Sequence, residues 1–289
     1  MTINRRRAPS SKISREKKLD GHTRESEYAA LIGGSTISGT GKGDVRGKND
    51  LLHSVKSGKK WQVFLYGSAR ITNCKYLCEL KSCLDAFVPD ALKYFEDRIK
   101  CIEFKEAYLK KHGKEMAKQL SNAEVADSLG HNEYIKSKDR LALATRDVCR
   151  KLQQNIFLRN FLGEAIFNNT EVSFLAVKDG NCFRVFSQSD VLAILSSNLF
   201  PANSRAGLVP VDYNVDGQKV LLRYIKDSKE KNIVEIEIRN DSDTHYRQVR
   251  FNMYSKDVLY LLLNELRSTS EEFCKGVHLY GEAVGMFSR

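Results

Sequence analysis

The sequence predicts a mixed fold of the α/β (α+β) class: a central β-sheet flanked by helices, followed by a second α+β region. Three observations carry that reading. Short apolar strands around a glycine-containing turn lie between Asp44 and Tyr66, helical periodicity fills Ile71 to Phe167, and strand patterns broken by turn residues dominate after Asn169. The 289 residues suffice for a substantial core, in one large domain or two smaller ones. The expected division is a basic flexible arm at 1–20, a core with a helical insertion at 21–168, and an α+β region at 169–289.

Charge narrows the partners. The net charge is +11 and the isoelectric point is about 9.2. Residues 1–20 hold seven Lys and Arg against Glu16 and Asp20, and they lack large apolar side chains, so disorder is expected there. A second basic group, Lys42, Arg46, Lys48, Lys56, Lys59 and Lys60, faces only Asp44 and Asp50. Positive charge gathered on short segments favours a polyanion through counterion release, and nucleic acid is the expected partner. No apolar run reaches the length of a membrane span, and the first residues lack the apolar stretch of a secretory signal. Seven cysteines with no secretory context read as free thiols in a reducing, cytoplasmic compartment. Cys74, Cys78 and Cys83 lie in a helical pattern with neither a CxxC pair nor a nearby histidine, which argues against zinc.

Taken in order, a first helix is expected over Thr23–Ile32, capped by Thr23 and stopped by Gly33-Gly34. The glycine-rich stretch from Ser35 to Gly43 fails the phosphate-loop pattern: Thr36 stands where the first glycine belongs and Gly43 where the Ser/Thr belongs. It reads instead as a pliable loop whose amides and Lys42 approach a phosphate backbone and which delivers Asp44. Next comes an expected hairpin: a strand ending in Ser54-Val55-Lys56, the turn Ser57-Gly58-Lys59-Lys60, and a strand from Trp61 to Tyr66 burying Trp61, Val63 and Leu65. Apolar stripes at Tyr76, Leu77, Leu80 and Leu84, then at Leu92, Phe95, Ile99 and Ile102, predict helices interrupted at Pro89, Gly113 and Gly130. Arg140 to Phe167 reads as a long final helix ending at Asn168-Asn169. Glu171–Val177 and Cys182–Phe186 form a hairpin pattern, and Ser187 to Asp190 can cap a helix reaching about Leu199. Val220–Ile225, Ile233–Ile238 and Tyr246–Met253 read as antiparallel strands, and Asp257–Leu266 as a helix. Arg239, Asn240 and Arg247 crowd one hairpin of this region, and side chains of these types can read base edges.

The chemistry centres on Asp44 and Lys56. Singly, each has an ordinary reading, a turn residue after glycine and a solvated strand lysine. Brought together on adjacent strands, roughly 5 Å apart, they make a carboxylate and an ammonium at a sheet edge amid surplus lysine. Metal-assisted cleavage of a phosphodiester needs that pair: the carboxylate ligates Mg²⁺ by oxygen, and the ammonium steadies charge on the reacting phosphate.

Asp44, followed ten residues on by Ser54-Val55-Lys56, resembles the PD-(D/E)xK nuclease motif, with Ser54 in the slot where an acid usually stands. Some type II restriction endonucleases resemble this Ser-x-Lys variant. Arg24-Glu25-Ser26-Glu27-Tyr28 looks like the opening helix of such nucleases and of archaeal Holliday-junction resolvases, where an early glutamate completes the metal site. Glu25 is the better positional match and Glu27 the alternative. The resemblance covers about residues 20 to 66. It implies a central mixed β-sheet of the PD-(D/E)xK type, a Mg²⁺ cofactor, double-stranded DNA as substrate, a homodimer on a palindromic site, and a companion DNA methyltransferase as functional partner. It further implies metal ligation by Asp44, Glu25 or Glu27, and the Val55 carbonyl. Asp44, Ser54, Lys56 and Glu25 would form the catalytic set. Apart from the resemblance, the basic cluster offers Lys42, Lys59 and Lys60, and the polar hairpin Arg239, Asn240 and Arg247, as the expected DNA contacts.

Two other functions compete with a site-specific endonuclease leaving 5′-phosphates. Serine in the acid slot favours a DNA-binding protein without catalysis, or an inactive nuclease relative. An ATP-binding enzyme built on the glycine loop is a distant third.

Overall fold

The computed structural model describes residues 11–39, 41–86, 91–119, 133–198, 209–210, 219–226, 229–239 and 248–287. In chain order the first elements are helix α1 (Ser11–Ile32), β1 (Ser35–Thr36), β2 (Val45–Arg46), β3 (Leu52–Lys56) and β4 (Lys60–Gly67). Among the described residues the α-helices that follow are α2 (Ser68–Thr72), α3 (Lys81–Asp85), α4 (Ala91–Gln119), α5 (Glu133–Leu152) and α6 (Asn155–Phe167). Then come β5 (Phe174–Asp179), β6 (Cys182–Ser187), α7 (Gln188–Asn198), β7 (Val209–Pro210), β8 (Lys219–Lys226), β9 (Lys229–Arg239) and β10 (Gln248–Tyr254). The chain closes with α8 (Ser255–Leu266), β11 (Ser270–Cys274), β12 (Val277–Tyr280) and α9 (Glu282–Phe287). The chain is thus mixed α/β, as expected.

Two compact units partition the chain differently from the expected cut at 168/169. The first comprises 1–61, 162–198 and 253–289, the second 62–161 and 199–252. Both are discontinuous, so neither is visible as a stretch of sequence.

The first unit is built on a seven-stranded mixed sheet in the order β1-β2-β3-β5-β6-β12-β11. β1, β2 and β3 form an antiparallel meander, β3 and β5 run parallel, β5 and β6 form a hairpin, and β6 runs parallel to β12. The β5–β6 turn, Gly180-Asn181, has Gly180 at φ +58°, the left-handed geometry that a two-residue hairpin demands. Helix α1 lays Tyr28, Ala29 and Ile32 on one face of this sheet, against Val45, Val55, Phe174, Ala176, Phe183 and Val185, all buried. Its end is chemically explicit. Gly34 N donates to Ala29 O (2.9 Å) and Gly33 N to Ala30 O (3.4 Å), with Gly33 at φ +65°, a Schellman stop. A Cβ on Gly34 would stand 2.3 Å from Arg46 O, so that glycine also permits the chain to pass β2. The helix starts twelve residues before Thr23, at Ser11, so 11–20 is helical rather than a flexible arm; residues 1–10 lie outside the described residues. At the N-terminus of α7, Ser187 Oγ accepts from Asp190 N (3.0 Å) and donates to Asp190 Oδ2 (2.9 Å), the expected cap.

The expected hairpin across Ser57–Lys60 does not form. β3 pairs with β2 and β5, while β4 belongs to a second, five-stranded sheet ordered β4-β10-β9-β8-β7. Gly58, at φ +80°, turns the chain out of one sheet and into the other. Along β4 the buried residues are Trp61, Phe64 and Tyr66, while Leu65 is exposed, so the inward set changes phase after Trp61. Stacking between Phe64 and Tyr66 (ring centroids 4.3 Å apart) and packing of Phe64 on Phe251 explain which rings win the interior.

The second unit otherwise holds α2 to α5. Helix α4 carries Gly113 at φ 82° and ψ 172°, the break read from the sequence. The segment from Arg140 to Phe167 is two helices separated at Gln153-Gln154, and Asn168 and Asn169, both with positive φ, end the second. The breaks at Pro89 and Gly130 lie outside the described residues. β8 and β9 form the predicted antiparallel pair. The strands β11 and β12 and helix α9, which complete the first unit's sheet, were not expected.

Candidate functional site

Asp44 sits just before β2, and its main chain is pinned on both sides: Asp44 N donates to His53 O (2.8 Å) and Ile37 N donates to Asp44 O (3.0 Å). Asp44 immediately precedes β2, whose register sets Val45 opposite His53, and its side chain reaches Ser54 and Lys56, alternate residues on one face of β3. The short meander, not the expected β3–β4 turn, makes the juxtaposition. Its five-residue loop is closed by Gly47 N to Leu51 O (2.9 Å) and Asp50 N to Gly47 O (3.1 Å).

Three donors converge on one carboxylate oxygen. Asp44 Oδ2 accepts from Val55 N (2.7 Å), Lys56 Nζ (3.0 Å) and Ser54 Oγ (3.2 Å). The Lys56 and Asp44 side chains retain 19% and 20% exposure, while Ser54 is buried. The carboxylate is therefore held in one orientation, with Oδ1 on the side away from those donors. Because His53 O faces β2, the two-residue period of the strand turns the Val55 carbonyl to that same edge of β3, the edge from which the Val55 amide donates to Asp44.

Glu25 and Asp44 line one open cleft of about 640 Å³, together with His22, Ser26 and the loop from Thr36. His22 Nδ1 and Glu25 Oε2 are 2.9 Å apart, one helical turn separating the two residues. His22 precedes the helix start expected at Thr23; its i, i+3 spacing to Glu25 on the longer helix is the signal that marks it. Glu27, the alternative ligand, is committed elsewhere. It accepts from Lys178 Nζ (2.5 Å) and Arg24 Nη1 (3.0 Å), and the Lys178 hydrogen bond leads in holding its carboxyl below the usual range against the opposing effect of burial.

The basic candidates divide. Lys42 is buried and donates to Ala165 O (2.7 Å), one of the last carbonyls of α6, so it caps a helix end instead of reaching toward solvent. Lys59 and Lys60 are exposed, and Lys60 Nζ lies 5.0 Å from the Tyr254 ring centre. Arg239 ends β9 in the second unit, half-buried; Asn240 and Arg247 lie outside the described residues.

The donor set suits a hard cation. Asp44, Glu25 and the Val55 carbonyl offer only oxygen, and Mg²⁺ commonly takes one or two carboxylates and keeps several waters. Among the described residues no group of three or more His, Cys, Asp and Glu side chains gathers to hold a metal ion of any kind, so a cation at Asp44 would draw most of its shell from main-chain oxygen and water. All seven cysteines are free, and burial pushes the Cys83 thiol up to about 12, where it is inert. Among the described residues no helix is long and apolar enough to cross a membrane. Comparisons with protein families, with curated proteins and with solved structures return no match for this chain.

Proposed function

We propose that the protein is a Mg²⁺-dependent phosphodiester hydrolase acting on double-stranded DNA. Within that class the reading is a type II restriction endonuclease of the PD-(D/E)xK superfamily, working as a homodimer alongside a protective methyltransferase. One arrangement carries it: a single Asp44 oxygen gripped by Ser54, the Val55 amide and Lys56, at the rim of a cleft that Glu25 also lines. The chain order of helix glutamate, Gly43-Asp44 and Ser54-Val55-Lys56 on a helix-flanked mixed sheet supports the finer fold assignment.

Asp44, Glu25 and the Val55 carbonyl would hold the cation, which when bound supplies water activation and offsets phosphate charge. Ser54 and the Val55 amide orient Asp44. Lys56 keeps an ammonium beside the scissile phosphate, steadying charge on its oxygens and orienting the attacking water. In-line attack breaks the P–O3′ bond, leaving a 3′-hydroxyl and a 5′-phosphate.

A second reading, DNA binding without cutting, is favoured by Ser54 in the acid slot and by Lys56 already bonded to Asp44. Supercoiled plasmid incubated with Mg²⁺, with Ca²⁺ and without metal separates the two. Discrete fragments in Mg²⁺ alone support the nuclease; retarded but intact plasmid in all three supports the second reading.

A further inference from the structure

A second opening in the first unit, about 560 Å³, lies at the other end of the sheet from Asp44, between β6, β12 and α8. Its sheet wall presents Arg184, His278 and Tyr280. His278 is the register partner of Arg184 on the neighbouring parallel strand, so the two side chains stand about 5 Å apart on one face. Its helix wall presents Tyr260, Asn264 and Arg267, spaced i, i+4 and i+7 along one face of α8 and the turn after it. Among the described residues no carboxylate is part of the lining, and the nearest one tied to it is Asp179, paired with Arg184.

Arg184 is set in advance. Its Nε donates to Asp179 Oδ2 (2.6 Å) and its Nη1 to Tyr280 Oη, fixing two edges of the guanidinium and leaving Nη2 for a ligand. An arginine fixed in this way loses little side-chain entropy on binding, and its planar fork matches phosphate oxygens. Arg267 adds a second guanidinium from the opposite wall, and among the described residues it pairs with no carboxylate. Tyr260, 38% exposed, is an aromatic side chain of the lining. Two guanidiniums, an imidazole and an exposed aromatic ring around one opening suit an anion carrying a planar ring.

We propose that this opening binds the phosphate ester of a nucleotide, with Arg184 and Arg267 on the phosphate and Tyr260 stacked on the base. The ligand is either a free mononucleotide or the phosphorylated end of a DNA strand. The site is independent of Asp44 and of the nuclease reading.

Isothermal titration of the full chain tests it with four probes: dTMP, thymidine, and an eight-residue oligothymidylate with and without a 5′-phosphate. The expected result is that dTMP or the phosphorylated oligomer binds at least tenfold more tightly than its phosphate-free counterpart, and whichever of the two binds tighter identifies the source. Arg267→Gln, an exposed substitution, should weaken that binding about tenfold, Tyr260→Ala should weaken it less, and Asp44→Ala should leave it unchanged. Equal binding with and without the phosphate, or an unaltered affinity in Arg267→Gln together with Arg184→Lys, overturns the proposal.

Discussion

Two acid–lysine pairs stand on the two faces of the same sheet, and they do different work. On the face under α1, Glu27 meets Lys178, whose ammonium also lies 4.5 Å from the Phe183 ring centre, and Arg24 shares the same carboxylate. Both Glu27 oxygens are engaged, and the pair ties helix to sheet. On the opposite face Asp44 meets Lys56 at an edge, with all three donors on one oxygen, beside an open cleft. Spare coordination next to solvent, rather than the presence of an acid and a lysine, distinguishes a candidate site from a strut.

The largest expected effect tests that distinction directly. Asp44→Asn or Lys56→Met should lower plasmid cleavage by on the order of 10²–10³-fold while leaving DNA retention in Ca²⁺ intact. Lys178→Met should leave the cleavage rate within about twofold. Loss of cleavage in a folded Lys178→Met, or full activity in Lys56→Met, would erase the contrast between the pairs.

The face under α1 also carries His53, and acid should find it. His53 is buried, its Nδ1 is 3.0 Å from Tyr28 Oη, its ring stacks on Phe174, and burial pushes its pKa down to about 3. The unfolded chain takes up a proton near pH 6.5, whereas the folded chain refuses it until about pH 3. The stability this neutral imidazole permits is therefore complete above pH 6.5 and lost as pH falls toward 3, at up to about 1.4 kcal/mol per pH unit. Urea unfolding between pH 7 and 3 measures it; His53→Gln should flatten the slope, and an identical slope in that variant would remove His53 as its source.

The Glu27–Lys178 strut should matter less. Glu27→Gln should cost about 1 kcal/mol at pH 7, since its carboxylate is a third exposed. Because the folded carboxyl titrates below its ordinary 4.5, that contribution is present above pH 4.5 and disappears as pH falls through the lowered value. Wild type and Glu27→Gln should therefore converge in stability at the acid end, and a difference that persists there would mean packing, not charge, separates them.

The site was more legible in the sequence than the sheet that carries it. Asp44, Ser54, Lys56 and Glu25 are local signals: a glycine before an acid, a strand ending in lysine, a helix stopped by Gly33-Gly34. Their meeting needs only the Val45–His53 pairing across a five-residue loop. Which strands pair at long range is not local. Ser57-Gly58-Lys59-Lys60 has hairpin composition, but β3 instead gains a buried parallel partner in β5, more than a hundred residues away, and β4 takes its rings to Phe251. β11 leaves no signal in the sequence because it is an exposed edge strand whose residues alternate too weakly to show a period. The discontinuous units follow from the same long-range pairing.

The smallest effect separates two kinds of lysine. Lys42 belongs by sequence to the basic cluster, yet its ammonium lies on Ala165 O at the end of α6, while Lys59 is exposed. Lys42→Met should therefore cost roughly 0.5–1 kcal/mol of stability through a lost helix-end interaction and leave the salt dependence of DNA binding unchanged. Lys59→Met should do the reverse, sparing stability and reducing the slope of log affinity against log salt by about one. Melting curves and binding titrations at several salt concentrations on both variants read the two effects separately. If Lys42→Met reduced the salt slope as much as Lys59→Met, the helix-end role would be wrong and the glycine-rich loop would lie on the DNA backbone.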